Sequence, residues 1–342
     1  MRNNCKKSLT VFIAALLIAA CGNKNKAEDP LADCGRTQRT ENLLINLKAL
    51  GDSSVYLFGH QDDTVYGIGW TGDEDRSDVE SVCNDYPALL GFDLGNIEKG
   101  DSANLDGISF ERIRQEVIRH YDRGGMVSLS WTLSQTITSQ EQIDPVADFL
   151  NSLETPYGVK VPVMLRLRKG QTKELWRMLT ERLKEKDVVN ALYAYSSEAT
   201  PTADETKYLE HYPGDEVIDL IGLDYYCDAP DADTTQIAGF ATQLDKNLDM
   251  ICRVAKQHQK AVALSETGYE GIKVKDWWTN TLAPVLAKYP ICYVLVWRNA
   301  HNQPGHYYAP YPGQQSVSDF VKFYNERMTL FLHDVNGLYL KR

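Results

Sequence analysis

Eight short runs of almost unbroken apolar residues recur along the chain: Val55–Gly59, Ala88–Leu94, Met126–Trp131, Val161–Leu167, Val189–Tyr195, Val217–Asp224, Ala261–Glu266 and Ile291–Arg298. A strand with one wet face alternates apolar and polar residues. A run that is apolar at nearly every position needs cover on both faces, as strands of a parallel sheet have. Segments with apolar spacing of three and four lie between or after these runs: Ile108–Arg123, Thr172–Lys186, Ile237–His258, Trp277–Lys288 and Val317–Phe331. These read as amphipathic helices. Eight strands, most followed by a helix, predict an α/β chain folded as one (β/α)8 TIM barrel. The rival, an open doubly wound sheet, wants a glycine-rich phosphate turn after its first strand, and Gly59-His60-Gln61-Asp62 is not one. No G-x-x-x-x-G-K-[ST], H-E-x-x-H or G-x-S-x-G stretch occurs. Nucleotide hydrolysis, zinc proteolysis and serine esterase chemistry therefore lack local support, and no cofactor or metal site is expected.

The N-terminus predicts export. Arg2, Lys6 and Lys7 precede an apolar run Leu9–Ala20 that ends in Leu17-Ile18-Ala19-Ala20-Cys21. Twelve residues are too few to span a bilayer, which takes about 20, but they suit a signal peptide. Small residues before a cysteine resemble a bacterial lipobox. The expected organisation is a lipoprotein signal peptide at 1–20, a tether at 21–35 and the barrel at 36–342. Lipidated Cys21 would then anchor the protein to the bacterial cell envelope, at the outer membrane. With 36 basic and 47 acidic residues the formal charge is −11, and removing the leader makes it −14. A chain this acidic repels phosphate backbones, so nucleic acid is not a partner. The remaining cysteines form no C-x-x-C pair, and several read as small buried apolar residues.

In such a barrel the chemistry gathers where strands finish. Those ends carry His60 and Gln61; Asp93 and Glu98; Trp131; Tyr195; Asp224 and Tyr226; Glu266; Trp297, Arg298 and Asn299. Carboxylates and aromatics suit a neutral polyhydroxylated ligand, with aromatic faces stacking on sugar C–H patches. Glycoside cleavage adds a need for two carboxyls flanking the bond. Glu266 ends a buried run, with Arg298 one strand along to keep it ionised. It reads either as a nucleophile or as half of an ion pair closing the barrel mouth. His60 and Gln61 either cap the first loop or hold sugar hydroxyls, and Trp131 is either packing or a sugar platform.

These positions fall in stretches that resemble glycoside hydrolase family 26. The stretches are Leu57-Phe58-Gly59-His60-Gln61-Asp62-Asp63, Leu90-Gly91-Phe92-Asp93-Leu94, Gly124-Gly125-Met126-Val127-Ser128-Leu129-Ser130-Trp131, Tyr212-Pro213-Gly214-Asp215, Gly222-Leu223-Asp224-Tyr225-Tyr226, Ser265-Glu266-Thr267-Gly268 and Val294-Leu295-Val296-Trp297-Arg298-Asn299. The resemblance implies a retaining endo-β-1,4-mannanase barrel acting on β-mannan or a related polysaccharide. It implies Glu266 as nucleophile, Tyr226 as its hydrogen-bonding tyrosine, and Trp297 and Arg298 as sugar-platform and ion-pairing residues.

One segment departs from the family. Its acid/base glutamate follows the fourth strand in a stretch like Arg-Pro-x-x-His-Glu. Here Arg166-Leu167 runs straight into Arg168-Lys169-Gly170-Gln171-Thr172. Arg166 matches the family arginine, while the His-Glu pair is missing. Glu198, after the fifth strand, is the weak candidate to replace it. General acid catalysis contributes roughly 10²–10⁴-fold, so the expectation is an impaired hydrolase or, alternatively, a non-catalytic surface protein that binds glycan.

Overall fold

The computed structural model describes residues 29–33, 35–168, 170–227 and 231–341. The expected leader, Cys21 and most of the tether lie outside them. All eight apolar runs are strands: β1 Tyr56–Gln61, β2 Leu89–Asp93, β3 Met126–Trp131, β4 Val163–Leu167, β5 Ala191–Glu198, β6 Leu220–Cys227, β7 Ala261–Tyr269 and β8 Tyr293–Val296. Each pairs in parallel with its sequence neighbours, and β8 returns to β1, with Leu57 opposite Tyr293 and His60 opposite Val296. The result is a closed (β/α)8 barrel, as expected.

Alternation along the strands sorts the core into two clusters. One holds Leu57, Leu89, Met126, Met164, Leu192, Leu220, Ala263 and Leu295 and fills the barrel, with Leu43 and Leu47 of the Gln38–Asp52 helix packed against it. The other, with Phe58, Leu90, Leu129, Leu165, Ile221 and Leu264, faces the surrounding helices.

The helices at Phe110–Asp122, Lys173–Glu185 and Thr234–Gln257 lie close to their expected spans. The Gln38–Asp52 helix was not expected, and its buried face explains why. Asn42 and Asn46 sit there, their amides donating to the carbonyls of Tyr339 and Leu338, so polar residues interrupt the apolar period. The last expected helix, Val317–Phe331, stops at Asn325; Thr329–Leu330 then runs extended beside β1, where Phe331 stacks on Phe58. The segment from Trp277 opens as a π-helical turn, Trp278–Leu282, before the α-helical Ala283–Leu286. Pro284 has no N–H for the regular ladder there.

Candidate active site

Toward the C-terminal ends of the strands the interior series turns polar: Gln61, Asp93, Ser130, Arg166, Ser196 and Asp224. Glu266 joins them only because β7 carries an extra residue. Leu223 is opposite Leu264, but the next β6 residue, Asp224, is opposite Glu266, so Ser265 is inserted. Simple alternation from Ala263 (inside) and Leu264 (outside) would send Ser265 inward and Glu266 outward. The bulge lets both face the mouth, a common device for re-aiming a side chain beside a functional site. Gly222 makes room for it, since a Cβ there would stand 1.8 Å from Ser265 Oγ.

Glu266 is 1% exposed and held on both oxygens. Arg166 Nη2 donates to Oε1 at 2.6 Å; Tyr226 Oη and Arg168 Nε donate to Oε2 at 2.8 and 3.1 Å. Burial opposes its ionisation, but the charges of Arg166 and Arg168 prevail and hold its pKa below the usual value. Asp224, its neighbour on β6, behaves oppositely. Burial and then the charge of Glu266 push Asp224 up to about 7, against the pull of Arg166. Its Oδ1 accepts from Ser196 Oγ at 2.6 Å and from Arg166 Nη1 at 3.3 Å. Arg166 thus bridges two carboxyls whose proton affinities have been driven apart, an arrangement typical of acid and base chemistry.

Arg168 is the residue that sequence reasoning missed. It continues β4 past Leu167, its amide donating to the Trp131 carbonyl. Its guanidinium lies 4.2 Å from the centroid of the Trp297 ring. One arginine therefore covers the expected sugar platform and holds the expected nucleophile. The only available signal was its place directly after the β4 run, three strands from Glu266.

Arg298 does not meet Glu266, contrary to expectation. It lies after β8 and turns toward the β1 side of the mouth, where Nη1 donates to Asp106 Oδ1 at 2.5 Å and Tyr66 Oη at 3.1 Å. The charge compensation of Glu266 comes instead from β4. Trp131 is fully buried, and its indole N–H donates to Glu98 Oε2 at 3.0 Å, so it packs below the cleft and is not a platform. His60 and Gln61 are each 1% exposed. His60 Nδ1 bonds Asp63 Oδ1 at 2.6 Å, which ties it to the first loop. Neither side chain reaches the cleft surface to hold a hydroxyl. Glu198 ends β5 opposite Asp224 and is exposed at the rim, two strands from Glu266. Tyr226 and Trp297 are half-buried at the mouth. A cavity of about 350 Å³ adjoins the loops after β3 and β4, lined by Leu133, Gln135, Thr172 and Leu175 among others.

A closed parallel barrel with an ionised carboxylate, a tyrosine and a half-buried tryptophan at its C-terminal mouth has the architecture of a barrel glycoside hydrolase. The family model described as glycosyl hydrolase family 26 matches residues 137–306. A GH26 β-mannanase from Bacteroides ovatus, BoMan26A, is 44% identical, with a TM-score of 0.82 over 89% of this chain and 98% of that one. A Cellulomonas fimi endo-β-1,4-mannanase double mutant is 25% identical, with a TM-score of 0.77 over 90% of this chain and 79% of that one. The chain belongs to glycoside hydrolase family 26. It is also 26% identical, over 94% of its length, to a mannan endo-1,4-beta-mannosidase of Bifidobacterium adolescentis, and it spans 37% of the length of that relative.

Proposed function

We propose that the chain binds β-1,4-mannan across the barrel mouth and cleaves it slowly, with retention, through Glu266. The observation that carries this reading is the state of Glu266: a carboxylate held ionised by two arginines, with a tyrosine fixing one oxygen. In the first step a Glu266 oxygen attacks the anomeric carbon while the bond to the leaving sugar oxygen breaks. Water then displaces the glycosyl group from Glu266 and gives up a proton to solvent, which balances the proton the departed sugar alkoxide takes from solvent. Asp224 keeps its proton to about neutral pH. It stands beside Glu266 on the adjacent strand, on the nucleophile's own side, so it suits a sugar hydroxyl better than the departing oxygen.

The second reading, glycan binding without turnover, is favoured by the β4 loop. Residues 168–172 are Arg-Lys-Gly-Gln-Thr and supply no carboxyl, and Glu198 stands at the rim. A natural mannan then departs as an unprotonated alkoxide, which costs roughly 10²–10⁴ in rate. Incubation with galactomannan, followed by product analysis and a binding titration on the same sample, separates the two. Under the enzyme reading Glu266→Ala abolishes turnover and leaves binding. Azide raises turnover of an activated aryl mannoside by capturing the glycosyl-enzyme as the glycosyl azide. Turnover that survives Glu266→Ala rejects the nucleophile. Sugar binding with no azide effect selects the binder. Export and lipid anchoring at Cys21 belong to the same reading, supported by the lipobox-like Leu17–Cys21 stretch, and fractionation of the producing cells checks them.

A further inference from the structure

We propose that Arg168 is a built-in occupant of the sugar seat, so that a neutral glycan must displace it to bind, and that this residue therefore sets the affinity of the cleft. This rests on the reading that Trp297 and Glu266 form that seat. The guanidinium lies 4.2 Å from the Trp297 centroid, at stacking distance for a sugar ring, and its Nε is 3.1 Å from Glu266 Oε2. Both contacts compete directly with a pyranose that rests on Trp297 and offers its anomeric carbon to Glu266. The fit has a chemical reason. A guanidinium is planar and positively charged, like the oxocarbenium-type centre that a glycosidase carboxylate is built to face. The cation–π contact and the charge-assisted hydrogen bond act together, in a side chain that is only 24% exposed.

Displacement lowers apparent affinity in proportion to the fraction of molecules in which Arg168 has left the seat. If the covered form exceeds nine molecules in ten, glycan affinity is reduced at least about tenfold. Removing the side chain should return that factor. The swing is available to Arg168 because it lies past the end of β4, whereas Arg166, 1% exposed and bonded to both Glu266 and Asp224, is fixed within the strand.

Isothermal titration of the full chain with mannohexaose tests this in the wild type, Arg168→Ala, Trp297→Ala and the double variant. Arg168→Ala should bind about tenfold more tightly, and Trp297→Ala should abolish binding in both backgrounds. Unchanged or weaker binding by Arg168→Ala, with the Trp297 effect intact, overturns the occupancy of the seat while leaving the seat itself. Binding indifferent to Trp297→Ala removes the reading of the site, and this proposal with it. Guanidinium ion supplies an independent measurement. At 10 mM it should weaken mannohexaose binding to Arg168→Ala at least threefold and leave the wild type unaffected, with sodium chloride at equal strength as control. Absence of that competition counts against the proposal. Arg168→Gln, which keeps most of the stem, serves if the alanine variant does not fold, and the same tightening is expected of it.

Discussion

Arg166 holds the site together by charge, and its replacement by methionine separates charge from packing. Methionine keeps much of the apolar stem within the barrel, so the main loss is a guanidinium 2.6 Å from Glu266 and 3.3 Å from Asp224. Removing one member of a buried ion pair costs about 3–5 kcal/mol, because the partner is left charged without water. For a barrel of roughly 300 residues that is about 5–8 °C in Tm, at about 1.6 °C per kcal/mol. The dependence on pH is the diagnostic. In the native protein the lowered pKa of Glu266 adds stability above its ordinary pKa, and that stability is lost as pH falls through the folded value. Without Arg166 both carboxyls should have raised pKa values. Their protonated forms then sit without penalty at low pH, and stability is lost as pH rises through those raised values. The deficit of Arg166→Met should therefore be large at pH 8 and smaller at pH 5, read from urea midpoints at the two pH values. Adding Glu266→Gln should recover at least about 1 kcal/mol at pH 8 through the coupling term. A deficit equal at both pH values, or no recovery in the double variant, would show that Arg166 acts through its volume and that the electrostatic account of Glu266 is wrong.

Two other perturbations probe the mouth. Burial, followed by the charge of Asp106, pushes Asp62 up to about 8. Stability drawn from its protonated form is complete at low pH and is lost as pH rises through that value. Even half of the rise from 3.8 to about 8 corresponds to about 3 kcal/mol, so Asp62→Asn should raise the urea midpoint at pH 9 and change it little at pH 4. Asparagine tolerates the φ of 56° at this position and can still accept from Tyr66 Oη, so a loss of stability at pH 9 would contradict this. Trp131→Phe removes the indole donor of the buried Glu98 and should cost about 1–3 kcal/mol in thermal or urea melts, with mannohexaose affinity within about twofold of wild type. A large affinity loss at preserved stability would return Trp131 to the sugar surface.

The eight strands were legible because both their faces are covered, which erases alternation and leaves compact apolar words such as Val161–Leu167 and Ala261–Leu264. Helices were legible where the core face stayed apolar, as in Thr234–Gln257, and illegible where asparagines made the contact, as in Gln38–Asp52. The site divides along a similar line. That Glu266 closes an apolar run is written in the local sequence, although β7 continues to Tyr269. That it faces inward is not, because facing depends on one inserted residue, Ser265, which a hydrophobic period cannot register. The choice of counter-ion was less legible still. Arg298 and Arg168 both follow strand ends and both carry the charge Glu266 needs. In the closed barrel Arg298 pairs with Asp106 and Arg168 with Glu266, contacts between strands and loops far apart in the chain.

That choice has a consequence for chemistry. The short segment Arg168–Thr172 leaves the nucleophile's surroundings richer in positive charge, by an arginine that also covers Trp297. Two guanidiniums on one carboxylate keep Glu266 ionised but also spread its charge over donors that must partly let go before an oxygen can attack carbon. On the function proposed above, the same residue would lower both the occupancy of the seat and the reactivity of the group behind it. On that reading, a β4 loop without a carboxyl and an arginine against Glu266 act in the same direction. A chain altered at only one of these points would keep either tight binding or fast attack, so Arg168→Ala should restore binding without restoring fast turnover of natural mannan.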